Sequence, residues 1–123
     1  MTNDEKGDMV KLGQKGEGLA CKFLEQKGYI IISRNFKTSL GEIDIIAKDK
    51  ETLVFIEVKT RESLQYGQPF ESVTSFKRRK IANVATLYLK KLKELPACRF
   101  DIVSIYHKKG NPVFELIKDA FEI

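Results

Sequence analysis

Two runs of almost unbroken apolar residues, Gly41-Glu42-Ile43-Asp44-Ile45-Ile46-Ala47 and Leu53-Val54-Phe55-Ile56-Glu57-Val58-Lys59-Thr60-Arg61, stand on either side of a short polar break. Their β-branched content suits neighbouring strands, and Lys48 to Thr52 suits a hairpin turn. Asp44, Glu57 and Lys59 sit inside these runs, where burial should exclude charge. Side chains alternate faces along a strand, so Glu42 and Asp44 share a face, as do Glu57 and Lys59, each pair about 6.5–7 Å apart. A hairpin then gathers two or three carboxylates and one ammonium on one patch. Charge in a strand core is costly unless it is paired or holds a metal. The patch is therefore the candidate site.

The rest of the chain reads as one domain over residues 1–123, with a polar, frayed stretch at 1–8. Apolar residues at Leu12, Leu19, Ala20, Phe23 and Leu24 predict a first helix over Val10–Lys27 that stops at Gly28. Tyr29–Arg34 reads as a buried strand, Asn35–Leu40 as a connection, and Glu62–Val73, with Gly67 and Pro69, as a loop. A second helix, capped near Ser72 or Thr74 and ending before Pro96, carries an apolar stripe of Phe76, Ile81, Val84, Ala85, Tyr88, Leu89 and Leu92. Arg99–Tyr106 and Pro112–Lys118 read as strands around a turn at Lys108–Asn111. The order α-β-β-β-α-β-β predicts an α/β fold. Its mixed sheet is flanked by helices, with the third and fourth strands joined in parallel by a right-handed crossover.

Charge is unevenly spread. The formal net charge is +5, and from Phe76 to Lys93 seven basic residues occur with no acidic one. Lys77, Arg78, Arg79 and Lys80 open that run, a cluster suited to phosphates. A merely solvated helix face is the alternative. Cys21 and Cys98 lack metal-ligand spacing, the N-terminus lacks an apolar leader, and no run approaches the ~18 residues of a membrane span. These features predict a cytoplasmic, reduced protein without a membrane partner. Cys21 reads as a small hydrophobe, and His107 as exposed and inert.

Carboxylates on two adjacent strands suit Mg²⁺, which takes one or two of them and completes its octahedron with water and phosphate. Lys59 is assigned an electrostatic and orienting role rather than that of a general base, because the neighbouring carboxylates attract an ammonium. The alternative is a structural ion pair of Lys59 with Glu57 or Asp44. Glu17 falls with Ala20, Cys21 and Leu24 on one side of the first helix by i+3, i+4 and i+7 spacing. It reads either as a group facing the strands or as a solvated glutamate. Gly13, Gly16 and Gly18 crowd the helix start, each costing about 1 kcal/mol in a helix interior. Close approach of the backbone to a phosphate or another subunit would explain them, as would a late helix start.

Asp44 followed by Glu57-Val58-Lys59 resembles the signature of the PD-(D/E)XK nuclease superfamily. The longer phrases GEIDIIA and LVFIEVKTR resemble the bacterial YraN-like family, distantly similar to archaeal Holliday junction resolvases. The likeness runs from Gly13-Gln14-Lys15-Gly16-Glu17 through Tyr66-Gly67-Gln68-Pro69 and Lys77 to Arg99-Phe100-Asp101 and Ala120-Phe121. Ile43 stands where the superfamily's name places proline. The resemblance implies a restriction-endonuclease-like core and a Mg²⁺-dependent endonuclease, with Mn²⁺ as a substitute, acting on DNA that is branched or otherwise structured. It implies Asp44, Glu57 and the Val58 carbonyl as metal ligands, with Lys59 and Glu17 as catalytic groups. Arg61, Lys77, Arg78 and Lys80 would contact nucleic acid, and a homodimer would suit a branched substrate. A nucleic-acid-binding module of the same fold that does not cut is the alternative, and a protein-interaction domain with structural ion pairs is a third class.

Overall fold

The computed structural model describes residues 16–61 and 74–122, with Arg61 described by its backbone alone. The predicted frayed segment, the first turns of the first helix and the Glu62–Val73 loop lie outside the described residues. Helix α1 covers residues 16–26, followed by β1 (Ile30–Thr38), β2 (Gly41–Asp49) and β3 (Thr52–Arg61). Helix α2 (Ser75–Leu89), β4 (Cys98–Lys108) and β5 (Asn111–Ile117) complete the predicted order. Helix α1 ends in a Schellman motif. Gly28, at φ +93°, takes the left-handed conformation, while Tyr29 N–H reaches the Leu24 carbonyl at 3.0 Å and Gly28 N–H that of Glu25 at 3.0 Å.

The strands lie in the order β1-β2-β3-β4-β5, antiparallel except for the parallel β3–β4 pair that α2 connects. Alternation along the strands divides the core in two. Val54, Ile56, Val103 and Ile105 pack with Ala20, Cys21 and Leu24 of α1. Leu53, Phe55 and Ile102 pack with Ile81, Val84 and Ala85 of α2. Glu57 and Lys59 continue the α2 face, whereas Val58 continues the α1 face.

Four predictions need correction. The strand read as buried over Tyr29–Arg34 buries only Tyr29 of those residues, and its Ile30 and Ile32 are 65% and 46% exposed. Asn35–Thr38 belongs to β1 rather than to a connection: Asn35 has φ +52°, a left-handed residue inside the strand, which makes the sequence read as a break. Phe76 is 64% exposed and not part of the stripe. It precedes Ile81 by five residues, which turns it about 140° round the helix from the buried side. Leu92 lies beyond the end of α2 and is also exposed.

A buried polar clamp ties the α1 face together. Asp101, 1% exposed, accepts hydrogen bonds from Tyr29 O–H at 2.9 Å, Arg99 Nε at 3.0 Å and Asp119 N–H at 2.9 Å. Arg99 Nη2 also donates to Tyr29 Oη at 2.7 Å and to Asp49 Oδ2 at 2.6 Å. The Arg99 hydrogen bond holds the Asp49 carboxyl below its usual range. One side chain thereby joins the β2–β3 turn, the entry to β1 and the start of β4. Replacing it strips Asp101 of its counter-charge, and breaking such a buried pair costs about 3 kcal/mol. Urea unfolding of Arg99→Met is expected to show a loss of that order, and a loss below about 1 kcal/mol would mean that Tyr29 and the Asp119 amide suffice.

Candidate active site

The β2–β3 ladder last pairs Ile45 with Ile56. Beyond that point the two strands part, and Asp44 Oδ2 accepts the Val58 N–H at 2.8 Å. A carboxylate thus takes the place of a strand carbonyl. The donor is satisfied, and Asp44 is fixed with its other oxygen uncommitted by that bond.

Other charged groups converge there. Lys59 Nζ lies 3.3 Å from Glu57 Oε1, with side-chain exposures of 17% and 16%. Asp44, Glu57 and Glu42 line a cleft of about 260 Å³ with Gly41, Lys77, Lys80 and Ile81. Helix α2 supplies the basic wall: Thr74 caps it by accepting the Lys77 N–H at 3.2 Å, which sets Lys77 in the first turn. The Lys77 side chain reaches Lys59; that contact, with some burial, holds its ammonium below the usual lysine range, while the Glu57 and Asp44 carboxylates oppose the shift.

Burial and then the Glu57 charge push the Asp44 carboxyl up to about 7, with Glu17 and Glu42 adding to the rise and the Val58 amide opposing it. Glu17 is therefore close enough for its charge to reach Asp44. Its Oε2 is buried without a hydrogen-bond partner among the described residues. Of the two readings of Glu17, the structure supports the group that faces the strands. Helix α1 delivers it by close approach: a Cβ added to Gly16 would fall 2.5 Å from Thr60 Oγ1 on β3. The alternatives offered for this glycine, a phosphate or another subunit, give way to contact with its own sheet. Gly13 lies outside the described residues.

The sequence-derived site residues thus separate. Asp44, Glu57, Lys59, Lys77 and Lys80 come together, Glu17 approaches from α1, and Val58 enters through its N–H. Arg78 instead sets its guanidinium 5.5 Å from the Phe121 ring centroid. The Arg61 side chain lies outside the described residues. Sequence reasoning missed Ser104, whose buried Oγ has no partner among the described residues and whose register partner is Lys59. Only the parallel pairing of β3 with β4 reveals that proximity.

A cation fits this donor set. A carboxyl raised by burial and by its acidic neighbours, and an orphaned carboxylate oxygen, both call for positive charge. Among the described residues, no group of three or more His, Cys, Asp or Glu side chains is placed to hold a metal ion. An ion held by Asp44 and Glu57 alone would have to keep most of its coordination shell as water, which is the way Mg²⁺ is usually bound. Burial also pushes the Cys21 thiol up, in keeping with a packing role.

Comparison with known proteins gives a match of residues 16–105 to the model of an uncharacterised protein family, UPF0102. The chain is similar to UPF0102 proteins of Geobacter metallireducens, at 50% identity over 113 residues, covering 91% of this chain and 93% of the relative. It is likewise similar to those of Geotalea uraniireducens, at 44% over 126 residues (100% and 98%), and Caldicellulosiruptor saccharolyticus, at 46% over 114 residues (90% and 97%). No helix among the described residues is long and apolar enough to cross a membrane.

Two predictions test the geometry. Asp44 binds its proton more tightly when folded, so stability should fall as pH climbs from about 3.8 through about 7. With chelator present, Asp44→Asn keeps an acceptor for Val58 and removes the charge. It should raise the unfolding free energy at pH 8 by about 1–3 kcal/mol and flatten the pH profile; an unchanged slope would show that Asp44 is not the titrating group. Gly16→Ala should cost about 1–2 kcal/mol through overpacking, and adding Thr60→Ala should recover most of it. Thermal melts of the four-protein cycle measure the coupling.

Proposed function

The chain belongs to the UPF0102 family, and from that premise and the geometry of its cleft we propose that it is a metal-dependent endonuclease. Its substrate class is DNA that is branched or otherwise structured, and its reaction is hydrolysis of phosphodiester bonds. The observation that carries the reading is the placement of Asp44 beside the Glu57–Lys59 pair where β2 and β3 part, with the charge of Glu17 reaching Asp44. A structural ion pair alone would account for Glu57 and Lys59. It leaves the raised Asp44 carboxyl and the orphaned Glu17 oxygen without a purpose.

In this reading Asp44, Glu57 and the Val58 carbonyl would hold Mg²⁺, or Mn²⁺ in its place, with Glu17 reaching it through water. The ion supplies Lewis acidity toward the phosphoryl oxygens and a more acidic bound water. Lys59, anchored by Glu57, orients the attacking water and neutralises charge developing on the phosphate. Lys77 and Lys80, on the opposite wall, hold the nucleic-acid backbone by charge. The Asp44–Val58 hydrogen bond keeps the acidic side of the cleft in place while the basic side receives substrate.

A second reading, a nucleic-acid-binding module that does not cut, draws on the lack, among the described residues, of three such side chains placed to hold a metal ion. A cleavage panel separates the two. Purified protein with Mg²⁺ or Mn²⁺ is offered branched, flapped and linear DNA and RNA. Cutting is expected on structured DNA, and Glu57→Ala and Lys59→Ala should each reduce it at least about a hundredfold. Salt-sensitive binding without any turnover would select the module instead.

A further inference from the structure

We infer that Phe76 and Lys80 form a stacking subsite at the rim of the cleft, which takes an unpaired base of a nucleic acid whose backbone lies in the cleft. The inference rests on the phosphate-binding reading of that cleft and adds a substrate feature to it.

Phe76 stands in the first turn of α2 and is 64% exposed, although burying a phenyl ring would stabilise the fold. Lys80, one helical turn later, sets its Nζ 5.0 Å from the ring centroid. The same Lys80 lines the cleft with Asp44 and Glu57. The ring consequently borders the candidate site through a side chain common to both.

The surroundings choose the occupant. Lys77, Arg78, Arg79 and Lys80 follow the ring directly, and the first turn of the helix has no acidic residue. An exposed aromatic ring among cations complements a ligand with flat apolar faces and a strand of negative charge. Bases and phosphates have that combination, and base–aromatic stacking tolerates any sequence. In an intact duplex the base faces are already stacked on one another. Only a base freed at a branch, flap or single-stranded stretch can lie on Phe76, which gives a physical origin for selection of structured substrates.

The test measures binding by the full chain in chelator, so that cutting does not intervene. Single-stranded, flapped and blunt-duplex oligonucleotides, the first two bearing 2-aminopurine in the unpaired segment, are titrated and followed by anisotropy and by quenching. Phe76→Ala should weaken binding of the first two roughly tenfold, change blunt duplex less than twofold, and abolish the quenching. Phe76→Trp should restore both, and circular dichroism melts should match the wild type because the ring is exposed. Equal affinity of Phe76→Ala and wild type for the flapped DNA overturns the subsite. So does binding of the single-stranded and flapped DNA no tighter than blunt duplex and without quenching of their 2-aminopurine, which leaves the cleft reading intact. Absence of binding to any oligonucleotide overturns both readings. Self-association in sedimentation that Phe76→Ala removes would assign the ring to a second copy of the chain and overturn the proposal.

Discussion

The hydrogen bond from Val58 N–H to Asp44 is the constraint on which the site depends. A strand amide at the end of a ladder must find an acceptor, and here a side chain provides it. That solution ends the β2–β3 pairing at Ile45 and Ile56 and fixes a carboxylate beside Glu57. The cost is electrostatic, because burial first and then the Glu57 charge raise the proton affinity of Asp44. A fold selected for stability alone would place a neutral acceptor here, which satisfies the same amide without the buried charge.

The sheet then acts as a partition. Alternation sends Val54, Ile56 and Val58 toward α1, and Leu53, Phe55 and Glu57 toward α2. Each helix approaches the same end of β3 from its own side. Helix α1 brings Glu17, held close by Gly16 against Thr60, and α2 brings Lys77 and Lys80. The two helices thus contribute opposite charges from different layers, around the carboxylates and Lys59 carried on the strands between them. The Arg99–Asp101 clamp keeps the α1 layer and the β2–β3 turn in register with β4.

Much of this was legible in the sequence, and the reasons are particular. Asp44, Glu57 and Lys59 stood out because charge interrupts apolar runs, and the parallel β3–β4 pair followed from a long helix between strands. Asn35 was misread because a left-handed residue inside a strand looks, in one dimension, like the end of that strand. Phe76 was assigned to the core because aromatic residues usually are. Its angular offset from Ile81 becomes decisive only when the length of α2 and its buried side are known. Ser104 and the partner of Gly16 depend on pairing and packing across long separations, which periodicity does not encode.

Among the described residues, strand β1 is an edge of the sheet, and its Ile30 and Ile32 are 65% and 46% exposed. An open edge with apolar residues is a template on which another chain can add a strand. The register shift between Ile31 and Ser33, together with the left-handed Asn35 three residues on from Ile32, breaks the regular spacing that such addition needs. Exposed Arg34 and Lys37 add charge to the same stretch. The irregularity that hid the second half of β1 from sequence reading thus serves the molecule as a guard against sheet extension, limiting the growth of ordered aggregates from this edge.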